Sequence, residues 1–489
     1  MFRSPLFRSL FKTSALASAL AGAALVSACA VGPDYRGPPS TAPVASVAGQ
    51  FHRADAAETP SAPPLARWWE ALNDPQLTTL IDRALTASPT VREAQARLRS
   101  ARASLGESRT KLLPSGGASL LEASARLPTG ALGSITGAGG SSNGVTNVDL
   151  YSAGFDATWE LDIFGGTRRA IEAAGAQVGA QEAQLQDAQV ELAAEVAQAY
   201  VGLRDAQTRL QLTRNDLALE QRGLDLTQQR RARGLVTDGE VERVQTGLAQ
   251  TEAQIAPLEG QVQQSLDQIA VLTGAEPGAL DSLLAAVAAP PAPPAATPVG
   301  DPAAMLRRRP DIRAAERRLA ASNAVIGQDV AQFFPSVSLL GDIGFASTDP
   351  GQLFRADRFS AIGAPSLSWN ILNFPKIQAQ VRGAKADRDA AAAHYQGVVL
   401  SALQDAEASL SRYGHQRQSL VALARAEVSA DRAEALTAQR YRGGTASLID
   451  ALDAQRQSIA ARQALAEGQA QLTDDYIALQ KSLGLGWMG

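Results

Sequence analysis

The chain has 489 residues, a formal net charge of −4, three His and one Cys. It is rich in Ala, Gln and Leu, which favours long helices and leaves few side chains for a metal site or a histidine-based catalytic group. A mildly acidic chain without basic blocks argues against nucleic-acid binding. We find no phosphate-binding loop, metal-ligand cluster or nucleophile elbow, so we expect no cofactor, no metal and no enzymatic activity.

The chain begins with the pattern of a bacterial export signal. A basic start (3–12) precedes an apolar segment (15–26) that is too short to span a bilayer comfortably. Small residues then precede Cys29, the only Cys, which resembles a lipobox. We therefore predict a signal peptide over 1–28 and lipidation of Cys29. The alternative is an ordinary cleavage site beside an incidental Cys. Ala30, the residue after Cys29, resembles a signal for sorting to the outer membrane.

The two halves of the chain are related by a repeat. Residues 88–115 match residues 309–336 at a constant offset of 221. Farther along, WELDIFGG (159–166) corresponds to WNILNFPK (369–376) at an offset of 210. The identical pairs in the first match are Pro89/Pro310, Arg92/Arg313, Ala94/Ala315, Arg97/Arg318, Leu98/Leu319, Gly106/Gly327, Pro114/Pro335 and Ser115/Ser336. Two copies of one helix–strand–strand–helix–helix unit are the simplest description.

This duplication sets the predicted organisation after the signal peptide. A lipidated linker (29–66) leads into a first repeat (67–274), and a second repeat covers residues 306–489. The connector between the repeats (275–305) is rich in Ala and Pro, and its Pro runs prevent a continuous helix.

Strands are predicted from alternation of apolar and polar side chains. The alternation is unbroken from residue 151 to 163, about 43 Å of strand. The corresponding segment 360–371 alternates as well, and Pro365 predicts a bulge there. Segment 337–345 is a third strand, and 121–127 is a weaker fourth with Leu121, Ala123, Ala125 and Leu127 on its apolar face.

The sequence leaves two interpretations of these strands open. They have the length and alternation of outer-membrane strands, but a soluble, half-buried sheet would show the same period. Four strands are too few to close a membrane barrel, and open sheet edges are not tolerated in lipid. Either the sheet is soluble or several protomers share one barrel.

Two long helices are predicted over 165–232 and 375–440, each about 100 Å long. In the first helix, one apolar stripe recurs every seven residues, and a second lies on the opposite side. The first stripe comprises Val196, Leu203, Leu210, Leu217 and Leu224, and the second comprises Leu212, Leu219 and Leu226. Two opposed stripes favour a cylinder of helices with neighbours on both sides, with a large antiparallel bundle as the alternative.

A set of short motifs runs in order through nearly the whole mature chain: CAVGPDYRGP (29–38), RWWEALNDPQLTTLI (67–81), LLPS (112–115), FDATWELDIFGG (155–166), LRRRPDIRAAERRL (306–319), FFPSVSLLGDIG (333–344), LSWNILNF (367–374), RYRGG (440–444), SLIDALDAQR (447–456) and LQKSLGLGW (479–487). The set resembles the TolC-like outer membrane factor family, in particular its lipoprotein branch, which serves multidrug efflux pumps.

The resemblance implies a mixed α and β membrane protein that assembles as a homotrimer. Its fold would be a 12-stranded β-barrel, four strands per protomer, on a long periplasmic α-helical barrel. It also implies a passive duct that binds a periplasmic adaptor protein and an inner-membrane pump, and that is held in outer membrane lipid. No nucleic acid is expected as a partner.

The resemblance also identifies a candidate channel gate. Asp450 and Asp453 match the family's constriction, and Ile449, Tyr441 and Arg456 are neighbouring gate or tether candidates. A ring of acidic side chains would favour cations. On spacing alone, a solvated helix face is the alternative.

Alignment of the two hairpin turns at an offset of 209 places Val241 and Val244 opposite the two aspartates, which predicts that only the second hairpin carries the ring. Gly234, Gly443 and Gly444 are predicted turn positions with adaptor contact. The run RRRPD (307–311) is interpreted as a solvated helix start.

Three functions remain open at this stage. The first is an exit duct for small-molecule efflux. The second is the same fold serving protein secretion, which the lipobox disfavours by family analogy alone. The third is a long-helix periplasmic adaptor or scaffold, which would leave the alternating strands unexplained.

Overall fold

A computed structural model of the protein describes residues 30–39, 49–54, 64–128 and 145–487. The predicted lipidation site, Cys29, lies outside these residues. The described chain divides into two compact units. The sheet unit comprises residues 30–38, 99–128, 145–179 and 316–393, and the helical unit comprises the remaining described residues.

The helices of eight or more residues are α1 (Pro75–Ala87), α2 (Pro89–Thr110), α3 (Gly166–Ala232), α4 (Asp238–Glu252), α5 (Ile255–Leu272), α8 (Pro310–Ala331), α9 (Phe374–Arg442) and α10 (Leu448–Ser482). Two short helices are α6 (Asp281–Leu284) and α7 (Pro302–Arg308). The strands are β1 (Ser115–Pro128), β2 (Val145–Leu161), β3 (Ser336–Ser347) and β4 (Phe359–Ser368). Short 3₁₀ segments lie at Trp68–Leu72, Pro350–Gln352, Ala356–Arg358 and Ile371–Asn373.

The two long predicted helices are confirmed as α3 and α9, within two residues at each end. The start of α3 is fixed locally. Gly165 has a φ of 79°, which favours glycine, and the Asp162 carboxylate accepts hydrogen bonds from the backbone N–H groups of Thr167 and Arg168, both at 2.9 Å. These bonds satisfy N–H groups that have no partner within the first turn of a helix.

The four strands form one antiparallel sheet in the order β1-β2-β3-β4. Segments 151–163 and 360–371 are confirmed as strands with shifted ends: β2 starts earlier, at Val145, and β4 stops at Ser368. The residues after β4 form a 3₁₀ turn instead. Within the described residues, β1 and β4 are the edges of the sheet and each pairs with one neighbour only.

The predicted bulge at Pro365 is wrong. Pro365 lies opposite Leu339, and the register of β3 with β4 is unbroken from Ser336↔Ser368 to Phe345↔Phe359. A proline is tolerated there because β4 is an edge strand, where a missing backbone N–H need not interrupt the ladder.

The predicted strand β1 is confirmed, and its register shows how its alternating residues meet β2: Ala123 of the predicted apolar face lies opposite Leu150. Residues directly opposite each other lie on the same face, and Leu121 is opposite Ser152 while Glu122 is opposite Tyr151. The apolar face that carries Phe155 and Trp159 therefore continues into β1 through residues such as Ala118. Alternation within one strand identified the two faces, but only the register shows which of them meets the neighbouring strand's apolar side.

The duplication appears as a repeated hydrogen bond at one end of the sheet. The Trp159 indole N–H donates to the carbonyl of Leu112 at 3.0 Å, and the Trp369 indole N–H donates to the carbonyl of Phe333 at 3.0 Å. Both acceptors precede a strand by three residues. Each repeat therefore fixes its tryptophan to the chain segment that enters the preceding strand.

The core of the helical unit lies around a cluster of aromatic side chains. Trp68 and Trp69 meet edge to face at 5.6 Å, and Tyr476 lies 6.1 Å from Trp68. The first apolar stripe of α3 packs into this core, with Val196 and Leu203 fully buried. Such burial stabilises the fold by about 1.5–3 kcal/mol for each large apolar side chain.

RRRPD is a helix start as predicted, since α8 begins at Pro310 and Arg307 is exposed, but the prediction that its other two arginines are solvated is wrong. Arg308 donates to the carbonyl of Leu483 at 3.0 and 3.2 Å, and Arg309 donates to the carbonyl of Ser482 at 2.7 Å. Burial lowers the pKa of Arg308. The two guanidinium groups thus bind the last carbonyls of α10, the end of a helix that attracts cations. Gly484 allows this approach, since a Cβ there would lie 2.7 Å from the Arg309 side chain.

Candidate functional site

The candidate gate lies at two hairpin turns of the helical unit. The first turn (233–237) joins α3 to α4, and the second turn (443–447) joins α9 to α10. Gly234 and Gly444 have φ values of 72° and 73°, in the region that favours glycine. Gly443 also lies in the turn, but its φ is not positive. The three predicted turn positions are therefore confirmed as turn residues, and two of them depend on glycine.

Both turns end in the same capping arrangement. In the first turn, the Thr237 hydroxyl accepts from the backbone N–H of Glu240, whose carboxylate accepts from the backbone N–H of Thr237 at 2.7 Å. In the second turn, Ser447 and Asp450 form the same pair of bonds, at 3.1 and 3.0 Å. This reciprocal capping box satisfies two N–H groups at the start of each helix.

Asp450 therefore has a local structural role in addition to any role in a gate. Its carboxylate also accepts from the Ser447 hydroxyl at 2.8 Å. The hydrogen bonds from the Ser447 side chain and backbone lower the pKa of Asp450, so the carboxylate is ionised at neutral pH. Asp453, one turn farther along α10, is exposed, and among the described side chains none forms a hydrogen bond or an ion pair with it.

The predicted equivalence of Val241 and Val244 with the two aspartates is wrong. The turn glycines, the capping residues and the capping carboxylates of the two turns correspond at a sequence offset of 210 residues, which pairs Glu240 with Asp450. An acid thus occupies the first position in both hairpins. The difference lies at the second position, where Arg243 in the first hairpin corresponds to Asp453 in the second.

Tyr441 connects the second hairpin to the first. Its hydroxyl accepts a hydrogen bond from the Arg230 guanidinium, and the guanidinium carbon lies 4.8 Å from the centre of the Tyr441 ring. The same cation therefore makes a charge-assisted hydrogen bond and a cation–π contact with one side chain.

Arg456 makes a second connection between the hairpins. Its Nη2 lies 2.7 Å from the point that a Cβ on Gly247 of α4 would occupy, so the glycine leaves room for the guanidinium. In the described part of the chain, Arg456 forms no ion pair with Asp453. Ile449 is half-buried at the start of α10. Two of the five gate candidates thus contact the opposite hairpin.

A polar network joins α9 to α10 farther from the turns. Arg462 lies 2.9 Å from Asp431, and the Ser458 hydroxyl donates to the same carboxylate at 2.6 Å. The Ser458 bond is the main reason why the pKa of Asp431 is lowered. Asp216 of α3 has its pKa raised to about 6 by burial. The two helices of the second hairpin are thus joined by charge-assisted bonds to Asp431.

Sequence reasoning missed Arg230, Gly247 and the two caps. The caps carried a readable signal, because TDGE (237–240) and SLID (447–450) both match the pattern of a hydroxyl followed three residues later by an acid. Arg230 and Gly247 carried none, since their partners lie far away in sequence.

No group of three or more His, Cys, Asp or Glu side chains among the described residues is placed to hold a metal ion. None of the described helices is both long enough and apolar enough to cross a membrane.

The sequence matches the Outer membrane efflux protein family over residues 80–275 and 302–485. The chain belongs to this family. The protein is accordingly an outer membrane protein, and the family consists of channels rather than enzymes. The fold class predicted for this chain is confirmed: the fold is TolC-like, mostly helical with one four-stranded antiparallel sheet.

Individual relatives resemble the chain over nearly its whole length. Outer membrane protein OprJ of Pseudomonas aeruginosa is 30% identical over an alignment of 480 residues that covers 96% of this chain and 95% of that protein. Antibiotic efflux pump outer membrane protein ArpC of Pseudomonas putida is 31% identical over 491 residues, covering 97% and 96%. The solved structure of the outer-membrane channel OprN is 35% identical, with a TM-score of 0.86, and covers 94% of this chain and 100% of that one.

Proposed function

We propose that the protein is the passive outer membrane exit duct of a tripartite efflux system. It would carry small molecules that an inner-membrane pump and a periplasmic adaptor supply. The observation that carries the proposal is the open sheet, which has two edges without a second partner among the described strands and one face with exposed Phe155, Ile343 and Leu367. An edge of this kind is stable in lipid only if another chain pairs with it.

The proposed assembly is a homotrimer in which three sheets close one barrel. The second apolar stripe of α3 supports a neighbouring copy, because Leu219 and Leu226 are 44% and 47% exposed. In the opposite stripe, Val196, Leu203 and Leu210 are buried, and Leu217 and Leu224 are half-buried. On α9, Val421 and Val428 are 61% and 65% exposed. Two unpartnered stripes on different helices fit a ring in which each copy presents one stripe to the next.

Small molecules are the proposed cargo. Relatives are named for efflux of antibiotics and of toluene. The proposed lipid anchor is Cys29, the position that the lipobox pattern indicates.

Within this duct, Asp450 and Asp453 would form the narrow acidic ring of the closed gate, with Ile449 beside them. Three copies would bring six carboxylates together, which favours cations electrostatically. Tyr441 and Arg456 would restrain the gate through their contacts with Arg230 and Gly247. The turns at Gly234, Gly443 and Gly444 are the proposed adaptor contact.

The function is tested by returning the gene to a strain that lacks its own outer membrane channel. We expect restored resistance to small lipophilic antibiotics, and a heat-modifiable trimer in the outer membrane fraction. A correctly located trimer that restores no resistance with any adaptor and pump would contradict the efflux function.

The gate is tested in planar bilayers. Asp453→Ala is expected to lower the preference for cations, whereas Asp238→Asn, which removes an exposed acid from the first turn, is expected to leave it unchanged. Equal effects of the two variants would contradict a gate at Asp453.

A further inference from the structure

The N-terminal segment of the sheet unit (residues 30–36) is seated in a built site. The Val31 N–H donates to the carbonyl of Phe164 at 3.1 Å, and the Tyr35 hydroxyl donates to the Glu316 carboxylate at 2.9 Å. Asn323, only 6% exposed, donates to the carbonyl of Pro33 at 3.0 Å. The site therefore uses residues of both repeats, Phe164 from the first and Glu316 and Asn323 from the second.

Arg169 is the central side chain of this site. It is 5% exposed and donates to the carbonyl of Val31 at 3.1 Å, to the carbonyl of Gly32 at 3.4 Å and to the Asp34 carboxylate at 2.6 Å. Its remaining Nη1 donates to Glu172 at 2.7 Å. A buried guanidinium is tolerated because these acceptors satisfy its donors, so removal of the N-terminal segment would leave part of the group unpaired.

A close backbone approach completes the site. Gly327 of α8 lies between Gly32 and Arg169: a Cβ on Gly32 would overlap the Cα of Gly327, and a Cβ on Gly327 would lie 2.8 Å from the Arg169 side chain. Gly106, the equivalent glycine of the first repeat, has no neighbouring atom within 4 Å of such a Cβ. The sequence makes the two glycines look identical, but only Gly327 is part of the site.

The segment ends at a defined level of the sheet unit. Ala30 packs against Gly165, where a Cβ would lie 2.7 Å from the Ala30 Cα, and Gly165 follows the end of β2 by four residues. Trp159 lies near that end of the same strand. Consecutive Cα atoms are ~3.8 Å apart, so a group attached immediately before Ala30 starts close to the end of the sheet at which β2 stops, at Leu161. We call this end the foot of the sheet.

We propose that this site fixes the point at which the N-terminal lipid enters the membrane, with Arg169 as the positioning residue. The inference rests on the lipid anchor at Cys29 in the proposed function. A seated segment holds the acyl chains beside the foot of the sheet, whereas a released segment of seven residues would add ~24 Å of reach. A short tether raises the effective concentration of the sheet at the bilayer surface, and a longer tether lowers it.

Seating is tested by limited trypsin digestion of the full-length protein, with cleavage after Arg36 followed by mass spectrometry of the new N-terminus at Gly37. Arg169→Ala and Gly327→Ala are expected to be cleaved there about tenfold faster, the effect of losing one charge-assisted hydrogen bond. Gly106→Ala, the matched control, and Arg169→Lys should stay closer to the unchanged protein. Equal cleavage of Arg169→Ala, Gly327→Ala and the unchanged protein would overturn the inference.

Positioning is tested with two insertions of about eight flexible residues, ~27 Å when extended. One insertion, starting with Ala, follows Cys29 and separates the lipid from the seated segment. The other follows Pro39 and leaves that distance unchanged. Both should be acylated and resist cleavage at Arg36, but the first should convert to the heat-modifiable form about threefold more slowly in a pulse-chase experiment. Equal rates would overturn the positioning role.

Failure of the proposed function would look different in these experiments. Loss of palmitate labelling in the unchanged protein would contradict the anchor, and absence of the heat-modifiable form would contradict the trimer. In either case the cleavage comparison still decides whether Arg169 holds the segment.

Discussion

The two hairpin turns share one backbone plan but differ in where their side chains bind. In the first turn, Arg231 pairs with Asp238 at 2.5 Å, so the turn is closed by its own residues. At the equivalent position of the second turn, Tyr441 instead contacts Arg230 of the first hairpin. Both repeats thus retain the turn glycine and the capping box, which the backbone of the turn requires. The side chains at the position of Arg231 and Tyr441 differ. The first turn is self-contained, and the second depends on its neighbour.

The largest expected effect comes from Arg230→Ala, which removes the hydrogen bond and the cation–π contact to Tyr441. We expect a loss of about 2 kcal/mol in the contact between hairpins, or roughly a thirtyfold shift toward the separated state. Single-channel recordings should show longer or more frequent open periods.

The matched control for Arg230→Ala is Arg231→Ala, which removes an exposed ion pair within the first turn that solvent screens. If Arg231→Ala opened the channel as much as Arg230→Ala, the second turn would not depend on the first in the way described. Tyr441→Phe should give an intermediate result, because the ring remains and the hydroxyl is lost.

A smaller effect is expected at the glycines of the second turn. Gly444→Ala forces a side chain into a φ of 73°, which costs about 1–2 kcal/mol, although the space around it is open. Gly443→Ala meets backbone oxygens no closer than 3.5 Å and should be nearly neutral. Amide exchange of Thr445, whose N–H donates to the Arg440 carbonyl at 2.8 Å, would report the difference. Similar exchange in both variants would contradict the distinction.

The smallest effect is a pH dependence that the two turns share. Hydrogen bonds to Thr237 and Ser447 lower the pKa of Glu240 and Asp450 from ordinary values of 4.5 and 3.8. A lowered folded pKa means that the cap stabilises fully above the unfolded pKa and weakens as the pH falls through the folded pKa. Exchange protection at the start of α4 should therefore weaken below pH 4.5, and at the start of α10 below pH 3.8. Unchanged protection in both helices down to pH 2 would contradict the caps.

Local signals in the sequence predicted much of the fold. Long stretches without proline predicted α3 and α9, and alternation predicted four strands, because helix and strand periods are properties of neighbouring residues. The errors came where a partner decides the outcome. Arg308 and Arg309 looked solvated because their carbonyl acceptors, in Ser482 and Leu483, are about 175 residues away.

The candidate gate shows the same division. The turn glycines could be predicted because a backbone conformation selects them locally. The contact of Arg230 with Tyr441 could not be predicted, because nothing in the sequence around an arginine at a helix end indicates a partner 211 positions away. The sequence alignment of the two turns used an offset of 209 residues and therefore paired Asp450 with Val241. The capping boxes show that the offset is 210, which pairs Asp450 with Glu240.

By itself, the sequence determined the duplication, the helices and strands, the turn positions and the family, because these depend on spacing and residue type along the chain. Only the tertiary structure decided the register of the sheet, the connection of the two hairpins and the seating of residues 30–36 against Arg169. The hairpin connection, the seating of residues 30–36 and the pairing of β2 with β3 all depend on contacts between residues more than 100 positions apart. Such contacts form only when the packed chain brings distant groups together, and no local pattern specifies them.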